Sequence, residues 1–213
     1  MRILPISKEG FPYIIFLLII SVLIYLWSPI VSIIPFVFLI FVTFFFRNPN
    51  RKIQKTDTHI LSPADGTVME VKEIFEDSFL NSKAIKISIF LSLFNVHVNK
   101  SPIDGNVTFI HYRPGKYLPA FKSHASDINE KNTLGIENDK LKILVSQITG
   151  FIARRIVCWV KEGDKVSQGN NFGLIKFGSC VEIIVPTNVE VLVTPKQKLK
   201  AGISVIGVIK NEN

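Results

Sequence analysis

The spacing of polar and apolar positions changes abruptly along the chain. Residues 11–46 carry no charged side chain. A spanning helix needs roughly 20 apolar residues, so this run is too long for one and short for two of full length. "WSP" at 27–29 divides it into 11–27 and 30–46, which predicts an N-terminal hydrophobic helical hairpin. Each half either crosses a thin bilayer or dips into it. From about residue 51 the pattern is of short runs, alternating or continuously apolar: "GTVMEV", "AIKISIFL", "NVTFIHY", "KLKILVSQI", "ARRIVCWV", "VEIIV", "VEVLVT" and "SVIGVI". Gly, Pro, Asn and Asp separate them, and a helical pattern recurs only weakly, at 121–130. The pattern predicts a mainly β domain over 51–213, antiparallel, folded as a compact sandwich or barrel.

An internal echo supports that architecture. "SPADGTV" at 62–68 returns as "SPIDGNV" at 101–107, and "EGDKVSQGNNFG" at 162–173 has the same habit of a tight turn entering a strand. Asp-Gly forms such turns because Gly accepts positive φ and Asp bonds to nearby backbone. Two related hairpin units are expected. Lipoyl and biotinyl carrier domains use similar turns, so a non-enzymatic carrier-like β domain on a membrane anchor is a rival reading. Their Met-flanked lysine is missing, the methionines being Met1 and Met69.

Charge adds a partner. The formal net charge is +8, and only Arg2, Lys8 and Arg47 against Glu9 contribute to it in the first 50 residues. A basic surplus suits an anionic membrane, a nucleic acid or simply solvent. The adjoining apolar run favours the lipid, and nucleic acid is not expected. Arg2 and Lys8 before the run, with Arg47, Arg51, Lys52 and Lys55 after it, place both its ends and the β domain on the cytoplasmic side of the cell membrane. Cys158 and Cys180 are the only cysteines, too few for a disulfide framework and expected to stay reduced. His59, His97, His111 and His124 share no metal-ligand spacing, and no metal site is expected.

Three residues carry candidate chemistry. Asp65 in "SPADG" is a turn residue by its setting. In "FLSLFNVHVNKSP" alternation puts His97 on a face with Leu91, Leu93, Asn95 and Asn99. That leaves it either a surface histidine or a base beside a nucleophile. Ser179 sits in "LIKFGSCVEIIV", where Gly178 and Ser179 interrupt a strand-like run. A G-x-S-x-G elbow is missing, so attack by Ser179 on the carbonyl of its own neighbour Gly178 fits better than ordinary hydrolysis. If the fold joins them, Asp65, His97 and Ser179 make an acid-base-nucleophile set.

In order, "FFFRNPNR", "LSPADGTV", "ISIFLSLFNVHVNKSPIDGNV", "PGKYLPAFKSHASDINEKN" and "ITGFIARRIVCWVKEGDKVSQGNNFGLIKFGS" cover nearly the whole chain. The chain resembles the phosphatidylserine decarboxylase proenzymes of the short type. The resemblance implies self-cleavage between Gly178 and Ser179, giving a β chain of residues 1–178 and an α chain of residues 179–213. Ser179 becomes a covalent pyruvoyl group, with Asp65 and His97 activating it beforehand. It implies that the pyruvoyl forms a Schiff base with phosphatidylserine and that phosphatidylethanolamine and carbon dioxide leave. A pyruvoyl-dependent decarboxylase of another serine-derived compound carries the same motifs. The α and β chains are each other's partners, and the oligomeric state, homo-oligomer included, stays open. Cys180 reads as a small buried strand residue.

Overall fold

A computed structural model describes residues 5–116, 118, 128–150, 155–176 and 179–210. The chain forms two compact units, Met1–Asn50 and Arg51–Asn213. The weak helical pattern at 121–130 falls mostly outside the described residues, as do Gly178 and Arg154.

In the first unit a single 3-10 turn, Lys8–Gly10, leads into α1 (Phe11–Trp27), and α2 follows over Pro29–Phe45. Ser28 in extended conformation closes one helix and opens the other. Pro29 begins α2 because its fixed φ suits the first helical position, where no N–H partner is needed. The two ends of the hairpin meet, with Ser7 N–H donating to the Phe46 carbonyl at 2.8 Å and Asn48 N–H to that of Pro5 at 2.7 Å. Side chains are exposed all round α1, Phe16 and Trp27 among them, although both are strongly apolar. The helical stretch Lys8–Trp27 is long and apolar enough to cross a membrane, whereas α2 is shorter.

The second unit is mainly β. Its strands are β1 (His59–Leu61), β2 (Gly66–Glu76), β3 (Ser82–Leu91), β4 (Val98–Lys100), β5 (Gly105–Arg113), β6 (Lys131–Glu137) and β7 (Lys142–Thr149). After them come β8 (Arg155–Cys158), β9 (Lys165–Val166), β10 (Asn171–Lys176), β11 (Ser179–Pro186), β12 (Val189–Val191), β13 (Lys198–Leu199) and β14 (Val205–Ile209). An eight-stranded antiparallel sheet, in the order β13-β2-β3-β11-β7-β6-β5-β9, curls over two three-stranded sheets, β4-β10-β8 and β1-β14-β12. All three sheets line one core. Ile89, Val145, Val181 and Leu134 meet Ile175, Phe172, Ile60 and Ile206 there. Each such side chain contributes roughly 1.5–3 kcal/mol relative to exposure.

The sequence echo is a structural two-fold. Leu61 N–H donates to the Pro102 carbonyl and Lys100 N–H to that of Pro63, both at 3.0 Å. Ser62 and Ser101 hydroxyls bond the carbonyls of Ala64 and Ile103, two residues on. Val68 N–H bonds the Gln197 carbonyl and Val107 N–H that of Asp164, each at 2.9 Å. Gly202 and Gly169, both at positive φ, donate to the carbonyls of Ser62 and Ser101. One expectation fails. The alternation through "FLSLFNVHVN" reads as one strand, but β3 stops at Leu91 and a turn intervenes, in which Ser92 N–H and Oγ bond Asn95 Oδ1. Asn95 competes for the backbone here, as a short amide side chain does in turns.

Candidate active site

Ser179 opens β11 where the chain leaves one sheet for another. β10, ending at Lys176, belongs to a small sheet and β11, beginning at Ser179, to the large one. Ser179 pairs with Leu91 on one side and Thr149 on the other. Its side chain shares the inward parity of the core residues Val181 and Ile183, is wholly buried, and leaves Oγ without a hydrogen-bond partner. Buried hydroxyls are normally satisfied, so an orphan at this position marks a group held ready for something else.

His97, the residue before β4, comes to the same corner. Its carbonyl accepts from Ile175 N–H at 3.3 Å, only four positions before Ser179. The imidazole is fully buried, not a surface group, and Nδ1 lies 3.0 Å from the Asn95 carbonyl oxygen. A carbonyl only accepts, so Nδ1 carries a proton, and whenever the ring is neutral its lone pair is on Nε2.

Asp65 approaches from the other flank of Ser179. Thr67 pairs with Phe90 and Ser179 with Leu91, which puts Asp65 two strands from Ser179, roughly 10 Å by strand spacing. Gly66 permits that approach, since a Cβ there would lie 2.2 Å from the Phe90 carbonyl oxygen. Asp65 does not hold His97. Arg51 grips both its oxygens, at 2.6 and 2.8 Å, and Ala201 N–H adds a third bond at 2.8 Å. Position alone makes Arg51 a candidate for attracting lipid head groups, but its guanidinium is committed to this buried pair. Sequence reasoning overlooks the pairing because Arg51 lies in a basic linker with no pattern to single it out.

Lys100 is a second residue that sequence reasoning overlooks. It is 2 % exposed, and Nζ donates to Asn171 Oδ1 at 2.7 Å and to the Gly169 carbonyl at 3.1 Å. Burial, then repulsion from Arg51, lower its pKa to about 8, against the opposing pull of Asp65. Cys180 is a buried strand residue packed with Ile148, Met69 and Phe90, its thiol pushed up first by burial and then by Glu182.

The Ser179 end of the sheets also gathers basic and aromatic side chains, Phe94, Tyr112 and Arg155 exposed and Arg113 and Lys176 half-buried. Phe94 stands in the turn after β3, Tyr112 and Arg113 end β5, Arg155 starts β8, and Lys176 ends β10. The pairing of Arg113 with Lys131, Lys131 with Ile148, and Lys176 with Arg155 fixes them at that one end.

Residues 38–207 match the phosphatidylserine decarboxylase family. The chain belongs to that family. A phosphatidylserine decarboxylase proenzyme of Carboxydothermus hydrogenoformans is 53% identical over 204 residues, covering 95% of this chain and 96% of the relative. Proenzymes of the same name from Symbiobacterium thermophilum and Syntrophus aciditrophicus are each 42% identical, across 95% of this chain and 94% and 96% of theirs. The phosphatidylserine decarboxylases are carboxy-lyases, and the match spans every strand from β1 to β13, Ser179 included.

Proposed function

We propose that this chain converts phosphatidylserine to phosphatidylethanolamine and carbon dioxide, using a pyruvoyl group made from its own Ser179. The observation that carries the reading is the buried, unpaired Ser179 Oγ at the corner between two sheets, in a chain of this family. The residues present suit the group: the serine that would become it is walled in by Leu91 and Thr149 and has no competing bond.

His97 takes the Ser179 hydroxyl proton on Nε2, and Oγ attacks the carbonyl carbon of residue 178. The C–N bond breaks as the C–O bond forms, and the freed nitrogen gains a proton. Loss of the Ser179 α proton then breaks the Cβ–O bond. The chain 1–178 leaves with a carboxylate end, and water converts the dehydroalanine into a ketone and ammonia. Serine is required because its oxygen is first nucleophile and then leaving group. Asp65 contributes through Arg51: the pair ties the turn before β2 to Ala201, and β2 in turn pairs with β3, the strand next to Ser179. Once formed, the ketone supplies an electron sink for loss of carbon dioxide from a bound amino acid.

The helical hairpin supports work at a lipid surface. Ser21, Ser32 and Thr43 hydroxyls, which would be costly in hydrocarbon, bond the Leu17, Pro29 and Leu39 carbonyls of their own helices, each at 2.7 Å. We assign it as the membrane anchor, with the β domain on the cytoplasmic face, where anionic lipid attracts Arg113, Arg155 and Lys176. Carbon dioxide release from lipid-dispersed phosphatidylserine and from free serine tests the substrate. Release from the lipid alone, or far faster from it, is expected. Equal or greater release from free serine would overturn the lipid assignment in favour of another serine compound.

A further inference from the structure

Among the described residues of the β domain, three buried side-chain atoms have no hydrogen-bond partner: Ser179 Oγ, Asn99 Nδ2 and Glu130 Oε2. Chance would scatter such orphans, but these three share one end of one interior. Glu130 precedes β6 and has the inward parity of Leu134 and Ile136. Its carbonyl accepts from Thr149 N–H at 3.0 Å, and Thr149 pairs with Ser179. The carboxylate is therefore two strands from Ser179, on the flank opposite Asp65. Unlike Asp65 it has no cation among the described residues: Tyr112 hydroxyl reaches Oε1 at 3.1 Å and Oε2 is left open.

Asn99 is reached by a line of amides. Asn132, two residues from Glu130 on the same face, donates to Gln147 Oε1 at 3.3 Å, and Gln147 Nε2 donates to Asn99 Oδ1 at 2.8 Å. Gln147 pairs with Val181 and so lies diagonally from Ser179 on the shared inner face. Gly173 makes room for it, because a Cβ there would stand 2.7 Å from Gln147 Nε2. Both bonds in the line run the same way, which leaves a donor at its end. Asn99, fully buried and on the same side of its strand as His97, presents an N–H₂ with nothing to bond.

An unmade buried bond is costly, and a donor and an acceptor on two sides of one reactive residue match a ligand with both charges. We propose that Glu130 and Asn99 are the two poles that hold the amino-acid head of the substrate, its ammonium on Glu130 Oε2 and its carboxylate on Asn99 Nδ2. The assignment rests on the decarboxylase reading. An ammonium has no lone pair with which to attack a ketone; a carboxylate beside it binds the cation and accepts one proton, leaving the amine. A neutral amide orients the departing carboxylate through a single bond. A cation would stabilise that charge and oppose its loss, and the nearby cations Arg51 and Lys100 are occupied elsewhere.

The product, phosphatidylethanolamine, keeps the amine and lacks the carboxylate, so it separates the poles. Short-chain forms of both lipids are titrated calorimetrically into the full-length Ser179→Ala chain, which binds without turning over. Glu130→Gln in that background should weaken both lipids about tenfold, the equivalent of one hydrogen bond. Asn99→Leu should weaken phosphatidylserine about tenfold and leave phosphatidylethanolamine unchanged. Asn99→Asp, close in shape, should weaken phosphatidylserine further by repulsion and serves if the leucine variant does not fold. Unchanged binding in the variants, as expected if internal water satisfies the orphans, or equal loss of both lipids in Asn99→Leu, would overturn the proposal. Parent chain that binds neither lipid, or processed wild type that releases no carbon dioxide, would count against the decarboxylase reading itself. Failure of the variants alone removes only the poles.

Discussion

Asp65 and Asp104 hold the same place in two copies of one turn, yet their surroundings differ. Each accepts a backbone N–H from the companion hairpin, Ala201 in one case and Gln168 in the other, at 2.8 and 3.0 Å. Asp65 is gripped by Arg51, with the side chains 11% and 10% exposed; Asp104 has Lys55 at 3.7 Å, with 48% and 50% exposed. The residue before each turn differs too, Leu61 in one copy and Lys100 in the other. What the copies share is therefore backbone architecture, and what one copy alone has is a buried cluster of charge two strands from Ser179. A turn aspartate is common property of the fold; the fork that neutralises it distinguishes the half that lies two strands from Ser179.

Replacing each aspartate by Asn keeps the acceptor and removes the charge, and the two variants should part widely. Asp65→Asn leaves Arg51 buried without a counterion, at a cost of about 3–5 kcal/mol, and self-cleavage should nearly stop. Asp104→Asn should cost about 1 kcal/mol or less and cleave normally. Thermal melts and denaturing gels measure both, and matching losses would erase the distinction between the halves.

Making the copies more alike tests Lys100. Its pKa is about 8 in the folded chain against an ordinary 10.5, so between those values the unfolded chain binds the extra proton. Stability should then rise as pH goes from 8 to 10.5, the penalty for burying the charge being fully present below 8. Lys100→Leu, which copies Leu61, should flatten that rise in denaturant titrations; an unaltered slope would show that Lys100 is not its source.

The smallest effect lies where the companion hairpins differ. Gly163 at φ +88° matches Lys196 at φ +73°, a conformation costly for a residue with a Cβ. Lys196→Gly should stabilise the fold by up to about 1 kcal/mol, read as a higher melting temperature with cleavage unchanged. A lower melting temperature would mean that the Lys196 side chain contributes more than its backbone costs.

Much of this was legible beforehand because the longer strands carry period-two patterns and the turns repeat as words. Each of the eight runs quoted from the sequence overlaps a strand. β9 and β13 are two residues long and show no period, and β4 was hidden by an alternation that runs straight through the Ser92–Asn95 turn. Gly178 and Ser179 read as a misfit inside a strand-like run, and Ser179 proves to open β11. Arg51 was not legible, since its partner is set by packing. Nor were Glu130 and Asn99: an unsatisfied atom exists only once the folded chain has buried it. The polar letters of "NEKN" at the entrance to β6 were the one available signal, and they read equally well as a loop.

In the proposed chemistry Ser179 is consumed to make the reactive group. Mass measurement of the freshly purified, active protein under denaturing conditions tests it most directly. Two chains are predicted, residues 1–178 and residues 179–213, the smaller blocked at its N-terminus by a carbonyl that hydrazine captures, while Ser179→Ala gives one inactive chain. An active preparation containing only the intact chain of 213 residues would contradict that chemistry.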